Sequence, residues 1–361
     1  MNARMPTEKA HGYQIAKMCE ALSLLGVDVS LVLPTRKNDL RGDIYSYYDV
    51  QNNFTIRYAL GPDMLSVFHG NRIGYYLQSL SFLWALRNVV VPSDSIIVTR
   101  SPEVAWWYAH HKYRVYFDAH NFPERGLATF KFLLKNIVGV IANSEGTATA
   151  FRRNGFKKVL AAPNGVDLTH FESKDLASRE SLGLPAGRIA MYVGHLYGWK
   201  GVDVVVRAAQ QLEDRDLTFV FVGGTASDIN RYCKKTKDLN NVVFLGHKSR
   251  DEIPSYIKSA DVLLLPNVPT TQESLSYTSP IKMFEYMASG VPIVASDLPS
   301  IREVLNDTNA ILVIPGSPDA LLKGVALAFQ KDAASRAHRA KEDVKKYTWS
   351  ARAQRIVTFL S

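Results

Sequence analysis

The sequence predicts an α/β protein made of two parallel-sheet domains. A chain of 361 residues exceeds what one hydrophobic core usually supports. Short apolar runs alternate with amphipathic helical patterns from end to end, which calls for parallel strands with helices on both faces. The Pro-Asn-Gly turn at 163–165, followed by a polar stretch at 168–175, divides that alternation into two similar halves.

In the first half the expected strands are 27–33, 54–58, 95–99, 115–118, 139–143 and 159–162. In the second they are 189–194, 217–223, 242–245, 262–265, 292–295 and 311–314. Each half reads as a Rossmann-like, doubly wound sheet, whose ligands bind beyond the carboxyl ends of the strands. Two such domains facing a cleft would place the site between them. The domains are expected at 1–165 and 166–345. Residues 346–361 form a last helix, apolar along Trp349, Ile356, Val357 and Leu360, that packs back toward the first domain. Residues 2–6 and His11-Gly12 look like the loop and helix start that follow a first strand, yet no strand pattern precedes them. A shortened N-terminus is the expected reason.

Composition narrows the class. A hydrophobic share of 47% and a charged share of 21% are those of an ordinary globular chain. No run approaches the roughly 20 apolar residues of a membrane helix, and the first fourteen residues hold no apolar signal core. Cys19 and Cys233 fall in different halves and offer neither a disulfide framework nor metal spacing. A cytoplasmic location is expected, with the inner face of the membrane as a place to work. The net charge of +9 is uneven: residues 1–165 carry 19 Lys+Arg against 12 Asp+Glu, a surplus of seven. With no basic-aromatic recognition motif, nucleic acid is not expected as a partner. An anionic acceptor, or peripheral association of the basic first domain with a membrane surface, suits the charge, as does plain solubility.

Residues 277–297, YTSPIKMFEYMASGVPIVASD, carry the most chemistry. Ile281, Met283, Phe284, Met287 and Ala288 have helical spacing. Ser279-Pro280 reads as cap and first turn, Ser289-Gly290 as the end, and a buried strand follows. A helix N-terminus favours anions, because its free N–H groups and dipole point positive. Lys282 works against that dipole, which implies an anionic partner. Glu285, one turn on, can accept hydrogen bonds from sugar hydroxyls. Anion and hydroxyls one turn apart suit a nucleoside diphosphate. Gly194-His195 ends a strand, Lys200 stands before a helix start at Gly201, and Val222-Gly223-Gly224 ends another strand. Gly194 lets a ligand approach the backbone and Lys200 meets a phosphate; the plain alternative is a solvated lysine in a connecting loop. His120 follows Asp118 at a strand's carboxyl end, where it is either a ligand contact or a structural histidine.

The chain as a whole resembles the family 4 retaining glycosyltransferases of GT-B architecture. The resemblance runs through 7–12, 117–121, 142–144, 163–167, 192–203, 219–224, 244–246, 260–266 and 279–299, in the family's order and over nearly the full length. It falls in a subtype reading SPxKxFEYM. The resemblance implies a nucleotide-sugar donor held by the second domain and a glycan or lipid-linked acceptor held by the first. By position, Lys200 would neutralise the pyrophosphate and Glu285 would hold the ribose. Gly12, in the first loop, would admit the diphosphate, and His120 would bond a hydroxyl of the transferred sugar. Ser279 and Ile281 would offer backbone groups. Two departures stand out. The first of the family's paired glutamates is Tyr277, no carboxylate at neutral pH, and its usual arginine is His195. Lys200 and Lys282 would share the charge.

The resemblance further implies front-face attack with retention, the departing diphosphate taking the acceptor's proton, in the synthesis of bacterial cell-surface polysaccharide. No cofactor or metal is expected, since two cations and two helix N-termini can stabilise the leaving group. Asp214-Arg215-Asp216, beside Glu213, resembles the metal motif of the other large transferase fold, but it precedes a strand and reads as a solvated turn. Two rival readings are a non-hydrolysing nucleotide-sugar epimerase and a binding or scaffold protein with an impaired donor site. Residues 68–91 form an aromatic helical stretch with Arg72 and Arg87. It suits a membrane interface or a core helix with a basic flank.

Overall fold

The computed structural model describes residues 1–361 except 39, 41, 69–71, 173–176, 213 and 215. Glu213 and Arg215 of the acidic turn, 173–175 of the linker and 69–71 of the aromatic stretch lie outside the described residues, as does the side chain of Arg72. The chain divides into two compact units, Met1–Pro163 with Trp349–Ser361, and Asn164–Thr348.

Among the described residues twelve strands form, one for each sequence expectation. They are β1 Ser30–Pro34, β2 Thr55–Ala59, β3 Ile96–Thr99, β4 Arg114–Ala119, β5 Gly139–Ala142, β6 Val159–Ala161, β7 Arg188–Val193, β8 Leu217–Val222, β9 Val242–Gly246, β10 Val262–Leu265, β11 Ile293–Ser296 and β12 Ile311–Val313. Every pairing is parallel. The largest boundary difference is at β1, expected from Val27. Its ladder opens only at Ser30↔Thr55, and Val27 is exposed beyond the turn at Gly26.

In the first unit β1 and β2 form one sheet and β3-β4-β5-β6 another, with no described strand joining them. The terminal helix Trp349–Leu360 belongs to this unit and packs on helix Ala10–Ser23, with Trp349 edge-on to Tyr13 at 6.1 Å. It starts at 349, not 346, because Val344–Lys346 is a 3-10 turn and Thr348 bridges to Val166.

The second unit holds one six-stranded sheet in the order β12-β11-β10-β7-β8-β9. Its strands are apolar on both faces. Ile189, Met191, Val193, Leu263 and Leu265 join one core, while Ala190, Tyr192, Val262 and Leu264 join the other. Continuous burial of this kind requires helices on both sides, as parallel sheets have. The chain winds outward from β7 through β8 to β9, then returns to β10 on the opposite flank of β7. That reversal makes the carboxyl ends of β7 and β10 the switch point where such sheets open a crevice.

Candidate functional site

Lys200 lies in the connection after β7, and Lys282 in the first turn of helix Ile281–Ser289, which follows β10. The two lysines therefore reach the switch point from its two sides. Each adjoins a helix start that no side chain caps: Gly201 before Val202–Gln211, and Pro280 before Ile281–Ser289. Helix Ala226–Lys235, by contrast, is closed by a capping box from Thr225 and Asp228. Uncapped amide donors beside lysines favour an anion.

Among the described residues neither amino group has a carboxylate bonded to it. Lys282 Nζ is shielded from solvent and has no hydrogen-bond partner among the described residues; it lies 3.6 Å over the ring of Tyr192. Lys200 Nζ lies 3.7 Å over the ring of Trp199. Burial, and then Lys200, push the Lys282 pKa well below its ordinary value, against the pull of Glu285. Burial lowers that of Lys200 to about 7, opposed by Glu273. An ammonium taken from water without compensation loses several kcal/mol of solvation, so the site gains when an anion enters.

Two glycines shape the floor. Gly194 has φ +131°, and a β-carbon there would stand 3.5 Å from Lys282 Nζ. Gly223 has φ +114°, and its β-carbon would lie 2.5 Å from the Gly194 carbonyl oxygen, a separation real structures do not show. His195 stacks on Tyr197 at 5.1 Å and 12°, and its carbonyl accepts from the Tyr192 hydroxyl at 2.6 Å. The Tyr286 hydroxyl accepts from Val193 N–H at 2.8 Å and ties the Lys282 helix to β7.

Several expectations need correction. Pro280 is the cap position rather than the first turn, and Ser279 does not cap the helix. Its Oγ accepts from Asn164 N–H at 3.0 Å, and its carbonyl accepts from Asn164 Nδ2 at 2.6 Å. The Asn-Gly turn at 164 thus anchors the peptide leading to Ile281. Gly12 lies in helix Ala10–Ser23, not in a loop, and a β-carbon there would meet the Tyr48 hydroxyl at 2.1 Å. Its requirement for glycine arises inside the protein. Glu285, buried in its helix, is bonded at 2.5 Å to Arg250 Nη2, a residue the sequence reading missed. Arg250's one signal is its position shortly after β9. Asp214 and Asp216 both pair with Arg188, at 2.5 and 3.1 Å, which occupies the acid pair.

The structure thus gathers Gly194, His195, Lys200, Gly223, Ser279, Ile281, Lys282 and Glu285 onto the carboxyl edge of one sheet. Gly12 and His120 belong to the other unit. There His120 Nε2 lies 3.4 Å from Asp118 Oδ2, and Asp118 also bonds Arg100 Nε at 2.7 Å. Arg352, from the terminal helix, approaches Asp118 at 3.7 Å, and Arg100 donates to Gln14. Burial, then Arg100, lower the His120 pKa despite Asp118, so the imidazole is neutral at physiological pH. Burial acts to raise the Asp118 pKa, but Arg100, His120 and Arg352 together hold it far below the carboxylate range.

Residues 187–330, which include most of this edge, match the family model described as Glycosyl transferases group 1. The chain is 29% identical over 215 residues to an uncharacterised glycosyltransferase of Methanocaldococcus jannaschii, covering 55% of this chain and 53% of that one. It is 27% identical over 217 residues to a Bacillus subtilis glycosyltransferase assigned provisionally to teichuronic acid biosynthesis, covering 58% and 52%. The chain spans about half the length of these relatives. Among solved structures it is similar to Anabaena HepE in complex with UDP and glucose, with TM-score 0.74 and 16% identity over 99% of this chain and 97% of that one. That likeness is one of fold: an α/β chain with two Rossmann-like units, as in GT-B proteins.

Proposed function

We propose that the protein is a retaining, metal-independent glycosyltransferase. It moves a sugar from a nucleotide-diphosphate sugar to a glycan or lipid-linked acceptor in bacterial cell-surface polysaccharide synthesis. The observation that carries this reading is the pair Lys200 and Lys282, two buried lysines with no carboxylate bonded to either among the described residues, beside two uncapped helix starts at the switch point. The group 1 match over the same residues supports it, and the UDP-bound fold relative suits it.

In this reading the diphosphate seats between Lys200 and Lys282, with the N–H groups of Ile281 and Val202 as further donors. Glu285, steadied by Arg250, accepts from the ribose hydroxyls. The bond from the sugar's anomeric carbon to the diphosphate oxygen breaks, and the bond to the acceptor oxygen forms on the same face. The acceptor's proton passes to the departing diphosphate. The lysines stabilise the charge that grows on that leaving group, a role that needs no metal. His120, neutral and oriented by Asp118, is assigned to a sugar hydroxyl. The work is placed at the cytoplasmic face of the membrane, where a lipid-linked acceptor is reached.

A thermal-shift and calorimetry panel of UDP, GDP and ADP tests the donor site. One of the three should bind, and binding should vanish in Lys200→Ala. Slow release of monosaccharide from the matching nucleotide sugar, without acceptor, should follow. An epimerised nucleotide sugar would replace this reading with an epimerase. Absence of both binding and turnover would leave a scaffold.

A further inference from the structure

Helix Arg72–Leu86 is apolar on its solvent side as well as on its buried side. Its buried side carries Gln78, 2% exposed, whose Oε1 accepts from Met64 N–H at 2.9 Å, together with Phe82 and Ala85. Its solvent side carries Ile73, Tyr76, Leu80 and Trp84, at 61, 76, 60 and 56% exposure. These fall three or four residues apart, so they line one stripe. Fifteen helical residues extend about 22 Å. A groove of about 430 Å3 runs beside the stripe, lined by Pro62, Met64, Leu77, Leu80, Ser81 and Trp84. Leu60, Val67 and Val90, in the flanking chain, are likewise more than 60% exposed. A contiguous patch of this kind marks a binding surface rather than scattered exposure.

We propose that this face seats the first unit on the surface of an anionic lipid bilayer. Charge selects that occupant. Residues 64–93 contain no Asp or Glu but do contain Arg72 and Arg87, and the wider stretch 1–165 has a surplus of seven positive charges. Tyr76 and Trp84 combine an apolar body with a polar tip, as side chains at headgroup depth do. No helix among the described residues is long and apolar enough to cross a membrane, so this one lies in the interface plane. Apolar burial and attraction to anionic headgroups then add. The proposal deepens the transferase reading by giving the acceptor side a surface to work on, but its chemistry is independent of the donor site.

The test is co-sedimentation of the full chain with vesicles of phosphatidylglycerol and phosphatidylcholine, against vesicles of phosphatidylcholine alone. The protein should sediment with the anionic vesicles, at least tenfold more weakly with the neutral ones, and less as salt is raised. The triple variant Tyr76→Ser, Leu80→Ser, Trp84→Ser should lose at least tenfold in vesicle affinity, and Leu80→Ser alone should fall between. All three positions are solvent-facing, so an unchanged melting temperature should accompany the loss. Undiminished sedimentation of the triple variant overturns the proposal, as does failure of the parent protein to bind at low salt. A parent dimer that the triple variant splits, without any vesicle binding, assigns the face to a second copy instead. Nucleotide binding measured on the same samples reports on the donor reading separately.

Discussion

Glu285 meets Arg250 at 2.5 Å across a steep gradient of exposure: the carboxylate side chain is 6% exposed and the guanidinium side chain 34%. The two partners are therefore not equivalent under mutation. In Arg250→Ala the carboxylate stays buried without its cation, a loss of about 3–5 kcal/mol for pairs of this kind. In Glu285→Gln the guanidinium turns to water and the loss is smaller. Denaturant melts of the two variants should rank Arg250→Ala as clearly less stable. The Gln variant should stay folded yet lose nucleotide affinity and transfer. A reversed order would mean that the arginine, rather than the carboxylate, depends on the pair.

The lysines should show the opposite sign on stability. Lys282→Met replaces a buried ammonium with an apolar chain of similar length, a change that is often neutral or stabilising by about 1–4 kcal/mol. The free protein should melt at the same temperature or higher, while diphosphate affinity falls at least a hundredfold. Lys200→Ala should likewise abolish transfer in a folded protein. Unchanged turnover in either variant removes that lysine from the site.

Acidity at Lys200 makes binding pH-dependent. With its pKa near 7 in the free protein, an incoming diphosphate favours the charged form and raises that value. Binding then takes up protons, and affinity falls as pH rises from about 7, by up to tenfold per unit. Titration calorimetry in buffers of different ionisation enthalpy between pH 6.5 and 8.5 should record the uptake. Lys200→Arg keeps its charge throughout and should flatten the profile.

Asp118 lies among Arg100, His120 and the nearly buried Arg352. Its folded pKa is depressed, so its contribution to stability is complete above the ordinary carboxylate value of about 3.9 and is lost as pH falls through the folded value. Asp118→Asn should destabilise by about 3–5 kcal/mol at pH 7, because it strands a buried arginine. The deficit should shrink on acidification. His120→Ala should lower kcat with little change in donor affinity.

Chelation is the simplest check on the leaving-group chemistry. If Lys200 and Lys282 carry the leaving-group charge, EDTA should leave initial rates unchanged. A loss restored by Mn2+ or Mg2+ would return attention to carboxylates such as Asp214 and Asp216, which Arg188 holds here.

Strand positions were legible because β7, β8 and β10 are apolar on both faces and leave no other reading. The Lys200 and Lys282 positions were legible because each stands beside a strong local signal, a strand-end glycine or an Ser-Pro helix start. Arg250, Arg100 and Arg352 were not. Each reaches its carboxylate from a distant part of the chain, 35 residues away for Arg250, 18 for Arg100 and 234 for Arg352. Arginine is common on surfaces, so nothing local marks one as buried. Gly12 illustrates the converse, a motif position whose requirement comes from Tyr48. Helix Arg72–Leu86 could be read two ways because it is apolar on both sides, so periodicity does not say which side is buried.

The stacked glycines at 194 and 223 constrain how this protein can diversify. Position 223 tolerates no side chain at all, since both the torsion and the neighbouring carbonyl forbid it. Position 194 has room but a left-handed torsion, so alanine there carries a strain of about 1–3 kcal/mol rather than a collision. A library randomised at both sites and selected for folding would return a single residue at 223 and a small set at 194. Change along this edge would therefore have to arise in the surrounding loops, over a floor that cannot drift.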